Sequence, residues 1–493
     1  MAPTTTIEAL TSALVARFLR TNNYSETLQA FIREAGLAPD VGQSSGDDTN
    51  NWSIQSLLEE KMAFDHSVNF ERYGDGNKET GAWSEPAPNK PTVVSTPTSS
   101  NLLAASVESW EKPCDSANTS SGPFIISTGA DRQVHLLMAT GGNEKLTSFS
   151  SLSDSPVLSY VSILGGRFVL MTNMSGHLLL QQGSVTLDKR KDHAKYAVKV
   201  VAHKDRRDPT KFWIATAGWD SSVLLYRMHI PDGEETNSPV IGEPVACIKT
   251  RTNPESLLFV PHVDTSELFL LVSRRDSTYV YYYEIESVTE TESGIAADHT
   301  QGLSPPECHL LGHQNLAPHS NAWVAFSPAH MALSPHDPGV LAVATSTLPH
   351  MKVIIVRLLF PSREAKDETN IDAAVTQASQ ALEALALQNR EDAAILVQAN
   401  TLAPQTAYST PQIAWRPDGS GIWVNGDDGV IRGIETKTGK VVAMLKGGHE
   451  PGSKVRSVWS GRVEFSDVGG KEPSHEEWVI SGGFDKRLIV WKV

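Results

Sequence analysis

GHEPGSKVRSVW (residues 448–459), followed by WVISGGFDKRLIVWKV (residues 478–493), is the stretch that decides how this chain folds. Two apolar runs flank the tight polar turn at 482–487, which is the signature of a β-hairpin. The run VRSVW supplies one more strand before the hairpin. Only three strands are then in hand when the sequence reaches Val493. An edge left open there would present a row of unpaired backbone donors and acceptors, which folded proteins avoid. A fourth strand is therefore expected from far upstream, and a chain that clasps its own ends implies a closed ring.

The same pattern of apolar strand, polar turn and apolar strand recurs seven times, and internal repetition at this scale indicates a repeat architecture. The copies lie at 124–137, 168–182, 212–228, 268–285, 341–358, 422–436 and 478–493. Each reads as the two middle strands, b and c, of a four-stranded blade. YAVKVVA (196–202), AWVAFSP (322–328), QIAWRPDG (412–419) and VRSVWSG (455–461) fit as innermost strands. PVACIKT (244–250) and VVAMLKG (441–447) fit as outer ones. The closing strand is expected at TVVSTP (92–97), with NLLAASVESW (101–110) opening the first blade.

In the last copy, His449, Ser481, Asp485 and Trp491 match the structural tetrad of WD40 repeats, which the repeat as a whole resembles. The resemblance implies a seven-bladed β-propeller in which Asp and His bond across the blade and Ser and Trp extend the network. Such a network satisfies polar groups in tight turns. A Ser/His/Asp catalytic triad is the alternative, and the tetrad spacing argues against it. Gly218-Trp219-Asp220 and Gly312-His313 are partial matches, and the second and fifth copies lack the turn Asp.

The N-terminal segment reads differently. Thr5 and Glu8 fit a capping box, and Leu10, Leu14, Phe18 and Leu19 recur on one helical stripe. Asn23 stands where a turn needs a left-handed residue, Ser25 can cap a second helix, and Gly36 is a plausible stop. The stretch LVARFLRTNNYSETLQAFIRE (14–34) resembles the LisH motif, departing from it only at Asn23 and Leu28. That resemblance implies homodimerisation through Leu14, Phe18, Leu19, Tyr24, Leu28 and Phe31; the alternative is a monomeric hairpin packed on the propeller. The fold expected is thus mainly β, a seven-bladed WD40-type β-propeller with a small N-terminal α-helical LisH module. Its parts are a LisH hairpin at 5–36, an accessory helix within 51–73, a flexible linker at 74–90, rich in Pro, Gly, Ser and Thr, and the propeller at 91–493. Residues 37–73 are too few for the helical domain that often follows LisH.

Propeller topology puts b–c turns and d–a links on one face, the top, and a–b and c–d turns on the bottom. The long inserts at 229–243, 286–306, 362–393 and 462–477 then share the bottom and are rich in acid. The 362–393 insert carries a helical stripe through Ile371, Val375, Leu382 and Leu385, which either caps the bottom or binds a partner. The top presents Arg132, Trp219, Arg274, Arg275, Phe484 and Lys486 from b–c turns, with Lys189, Arg190, Lys191 and His193 expected in the link after the second blade. Aromatic and Arg residues are the usual anchors of interfaces, so an acidic peptide or helix is the expected ligand. The alternative is a solvated rim with Trp219 packed between blades.

A formal net charge of −15 argues against general affinity for nucleic acid or anionic membrane. No apolar run approaches the length of a transmembrane helix, and the N-terminus lacks a signal-peptide core, so cytoplasm or nucleus is expected. Cys114, Cys247 and Cys308 are too scattered for a disulfide framework or a metal site. There is no Walker loop, metal-ligand spacing or nucleophile elbow, so no cofactor or metal is expected. The leading reading is a non-catalytic scaffold that dimerises through LisH and binds proteins on its propeller. The alternatives are a substrate receptor of a ubiquitin ligase, a chromatin or corepressor subunit and, more remotely, an enzyme with convergent acids, histidines or a metal in the central channel.

Overall fold

A computed structural model describes residues 4–43, 53–55, 83, 85–94, 96, 100–111, 122–140, 142–143, 145–230, 238–285, 305–319, 326–361, 377–465 and 474–493. The chain divides into two units, Met1–Gly76 and Asn77–Val493.

In the first unit, helices α1 (Thr4–Thr21) and α2 (Ser25–Glu34) form the expected hairpin. Asn23 turns the chain at φ 60° and Gly36 ends α2 at φ 64°, left-handed values that Asn and Gly tolerate best. Thr5 lies inside α1 rather than before it, and its side chain and that of Glu8 are outside the described set. Ser25 is the first helical residue, and Tyr24 occupies the cap position without a capping side-chain bond. The segment after α2 folds back on α1: Arg20 donates to the carbonyls of Pro39 and Val41 at 3.2 and 3.1 Å. Gly42 lies so close to α1 that a Cβ there would fall 2.6 Å from the Arg17 amide nitrogen. Of the accessory helix expected within 51–73, all but residues 53–55 lies outside the described residues.

The second unit contains seven four-stranded antiparallel sheets, the blades of a propeller. The b strands are the driest elements: Phe168–Asn173 and Val340–Thr345 are buried at every position. Such a strand has a neighbouring blade on each side, which is why it reads as a continuous apolar run rather than an alternation. The core is correspondingly a set of clusters between blades. One joins blades three and four through Trp213, Leu225, Leu257 and Leu270. Another joins blades seven and one through Trp478, Ile480, Leu102 and Ile125.

The outer strand of blade seven is Lys90–Val94, paired antiparallel with Leu488–Lys492 from Val94↔Leu488 to Lys90↔Lys492. It sits two residues ahead of the position expected from sequence. Of the flexible linker expected at 74–90, residues 74–82 and 84 lie outside the described residues, and those just before the strand are held. Trp83 meets Trp423 edge to face at 5.0 Å, and the Arg416 guanidinium lies over the Trp83 ring at 4.4 Å. Fully buried Arg416 also donates to Glu477 at 2.8 and 3.1 Å and to the carbonyl of Pro86 at 3.2 Å. One side chain thus staples blade six, blade seven and the N-terminal strap. Pro86 and Pro88, which have no N–H to donate, suit a strap that runs ahead of the ladder, and Asn89 donates the first backbone bond, to the Lys492 carbonyl at 2.8 Å.

Three further placements differ from expectation. The innermost strand of blade five is Pro328–Leu333, not 322–328, of which 322–325 are outside the described residues. Lys189, Arg190 and Lys191 belong to the outer strand of blade two, Val185–Lys191, not to a link. In the 362–393 insert, helix α3 (Gln377–Ala394) bonds the rim of blade four: Glu391 accepts from the Asn315 amide at 2.7 Å, and Gln388 donates to the Pro318 carbonyl at 2.7 Å. Its described half therefore rides on the outer rim between blades four and five.

Candidate docking face and central channel

In blade seven, Asp485 and His449 Nδ1 are 3.1 Å apart, His449 Nε2 and Ser481 Oγ are 2.8 Å apart, and Trp491 Nε1 donates to Ser481 Oγ at 3.0 Å. An Nδ1–H donated to the carboxylate leaves Nε2 to accept the serine proton, and the indole fills the remaining acceptor site of that oxygen. Each of these four side chains has a partner, and Ser481 is fully buried with Trp491 packed over it. A serine nucleophile needs an open approach for substrate, which this network lacks.

Blade three contains the same network in other residues. His193 Nδ1 is 3.1 Å from Asp220, and His193 Nε2 is 2.8 Å from Thr216 Oγ1. Tyr226 takes the place of the tryptophan and donates to Asp192 at 3.0 Å. His193, expected among the basic groups of the top, is a buried member of this network instead. The signal was available: Thr216, Asp220 and Tyr226 have the spacing of Ser481, Asp485 and Trp491, four and then six residues. Gly312-His313 builds no such network among the described residues; His313 lies on the outer strand of blade four against Tyr279 at 4.9 Å.

Burial alone would raise the two aspartates. Hydrogen bonds from His193 and Ser222 to Asp220, and from His449 and the Glu450 amide to Asp485, outweigh it and hold both carboxyls below the usual range.

These networks fix the turns that carry the exposed top residues. In six blades the residue at the same turn position donates its amide to the residue just before the innermost strand: Ala130, Met174, Trp219, Arg275, Ser346 and Phe484, at 2.9 to 3.0 Å. In blades three and seven that residue is aromatic and directly precedes the network aspartate. Trp219 is 38 % exposed and Phe484 40 %. Trp219 is not packed between blades; it stacks on half-exposed Tyr196 at 5.2 Å. Sequence reading missed Tyr196 and also Tyr408, 89 % exposed in the link from blade five to blade six. Neither belongs to a repeat signature. Their signal is an aromatic in a d–a link.

The basic character expected of this face is largely internal. Arg274 is spent on Tyr281 at 2.8 Å and Thr252 at 3.1 Å, and Arg275 pairs with Glu255 at 2.7 Å. Lys189 pairs with Asp154 at 2.8 Å, and Arg190 with Asp192 and Glu243 at 2.8 and 2.7 Å. Arg132, Lys191 and Lys486 are exposed and make no ion pair among the described residues.

The innermost strands enclose a channel of about 730 Å3 that opens beside Trp219 and Arg275. Sequence spacing did not reveal its charge, yet Glu108, Lys199, Glu255, His330 and Arg456 all line it. Glu108 accepts from Ser162 at 2.7 Å and Ser106 at 3.3 Å, while burial raises its carboxyl. His330 accepts the Ile413 amide at 3.3 Å. Burial, then the Lys199 charge, pushes it down to about 3. Among the described residues no His/Cys/Asp/Glu group is arranged to hold a metal, and no helix is long and apolar enough to cross a membrane. Cys247 and Cys308, far apart in sequence, are neighbours here: the Cys308 amide bonds the Cys247 carbonyl at 2.9 Å. Burial pushes both thiols up, Cys308 to about 12, away from the thiolate form that reacts.

In the helical unit, Leu28 is buried, Leu14, Phe18, Leu19 and Phe31 are half-buried, and Tyr24 is exposed. Phe18 and Tyr24 lie 6.4 Å apart at the turn. These residues leave an apolar surface uncovered on a hairpin too small to make its own core.

A LisH-type helical hairpin and a seven-bladed β-propeller on one chain define a class of protein-interaction scaffold. The family model described as UCP007778, beta-propeller domain, matches residues 118–491, and that described as UCP007778, LisH domain, matches residues 9–38. The chain belongs to the UCP007778 family. Among curated proteins, none matches it.

Proposed function

We propose that this protein is a non-catalytic scaffold that homodimerises through its LisH hairpin and docks a protein partner on the top face of its propeller. One observation carries the docking half. Trp219 and Phe484 are exposed aromatics standing on turns fixed from beneath by buried polar networks, with Tyr196 stacked on Trp219 and Tyr408 exposed in a d–a link. A large side chain on a rigid turn loses little entropy on binding, which is what makes an anchor. Arg132, Lys191 and Lys486 add positive charge that is unpaired among the described residues, so an acidic peptide or helix is the partner class. Two rings per dimer would engage a bivalent partner with avidity.

A photo-crosslinking residue placed at position 484 tests the face. Protein adducts should form there and not from Val240, exposed in a c–d link on the opposite face. Adducts from position 240 alone would reverse the assignment. For the dimer, Leu14→Asp with Phe31→Asp should give a monomer by light scattering; a dimer that survives both charges refutes the LisH interface.

A further inference from the structure

Lys199, on the innermost strand of blade three, and Arg456, on that of blade seven, line one channel. Neither side chain makes a hydrogen bond or an ion pair among the described residues. Protein surrounds each of them except toward the channel, and burial pushes both side chains down from their ordinary values. For Lys199 no carboxylate counters that effect. Glu255 offsets it in part for Arg456, but the Glu255 carboxylate is itself bonded by Arg275 at 2.7 Å. Both residues are half-buried on the channel wall, and a partly desolvated charge without a partner is costly, so proteins pair, neutralise or ligate such groups. Arg456 cannot neutralise itself, since guanidinium stays protonated.

His330 adds a third group. Its Nδ1 accepts the Ile413 amide, so the ring proton sits on Nε2, where it can be donated. The remaining carboxylates of the wall do not serve the cations. Glu108 is held by Ser106 and Ser162 on blades one and two, and Asp276 is exposed at the mouth. The volume, about 730 Å3, falls within the ~300–1,000 Å3 of small-molecule sites.

We infer that the central channel is a binding site for a small polyanion, a polyphosphate or a polycarboxylate, held by Lys199 and Arg456 with His330 donating from Nε2. The site is independent of the docking face, since its groups lie inside the ring.

The test uses the full chain and isothermal titration at physiological salt, with tripolyphosphate in one arm and citrate in the other. Binding of one anion per chain in at least one arm is expected, with a rise in Tm by mass action. The arm that binds identifies the anion class. Lys199→Met and Arg456→Met should each weaken it about tenfold or more, the loss of one charge-assisted contact. Lys486→Met, at an exposed cation, should leave it unchanged. Lys199→Met removes a half-buried charge that has no ion pair among the described residues, so its Tm without ligand should equal or exceed that of the wild type. If Arg456→Met does not fold, the Lys199→Met titration decides alone. No binding in either arm, or equal weakening by Lys486→Met, would overturn the site.

Discussion

Blades three and seven are built on the same buried network and look unlike in sequence. In blade seven the members are His449, Ser481, Asp485 and Trp491; in blade three they are His193, Thr216, Asp220 and Tyr226. Both lift an aromatic residue, Phe484 or Trp219, onto the top face at the position before the aspartate. They differ in how the sheet is completed. Blade three is continuous in sequence, with its outer strand at Ala246–Lys249. Blade seven borrows Lys90–Val94 and depends on Arg416 to hold the strap that leads into it. The network is therefore a property of the turn, whereas the vulnerability of a blade is a property of its closure.

The largest expected effect breaks that closure. Removing residues 83–94 would open the edge of blade seven and uncover Trp423, and the Tm should fall sharply, with strong loss of soluble protein. Arg416→Ala should cost about 3–5 kcal/mol in denaturant unfolding, because it leaves the Glu477 carboxylate buried without its partner. An effect below about 1 kcal/mol would mean that the strap contributes little to blade seven.

Next come the networks. His449→Ala and His193→Ala should each cost about 1–3 kcal/mol by leaving a buried carboxylate and hydroxyl unsatisfied. Combined with Arg416→Ala, the first should couple and the second should add, since only His449 shares the borrowed blade. Equal coupling for both would erase the contrast between the blades.

A smaller effect concerns acid. The folded-state pKa values of Asp220 and Asp485 lie below the ordinary carboxylate value of about 3.9. Their contribution is complete above about pH 4 and is lost as pH falls through the lower folded values. The Tm of the wild type should thus drop more steeply below pH 4 than that of Asp220→Asn with Asp485→Asn. Parallel curves would contradict the assigned role of the two carboxylates.

How far residues reveal this depends on what they contact. The tetrad of blade seven was legible because Ser, Asp and Trp keep both spacing and identity. That of blade three kept only spacing, since Thr replaces Ser as a hydroxyl and Tyr replaces Trp as an aromatic donor. AWVAF at 322–326 alternates as a strand should, yet the innermost strand begins at Pro328, which a bulge accommodates at its first position. Lys189–Lys191 read as a loop because they are charged, but outer strands carry charge as a guard against edge pairing. The strap at 83–89 has linker composition, and its one distinguishing residue, Trp83, needed Trp423 and Arg416 beside it to show its role. The channel charges were invisible because Lys199, His330 and Arg456 come together only when the ring closes.

The most direct test of the account is a paired measurement on Trp219→Ala with Phe484→Ala. Both side chains stand outside the buried networks, so unfolding free energy should stay within about 0.5 kcal/mol of the wild type. Affinity capture by the same variant should lose the proteins that the wild type retains, while Leu385→Ala with Leu387→Ala on the rim helix should keep them. Retention by the top-face variant and loss by the rim variant would move the docking surface to the rim and contradict the account.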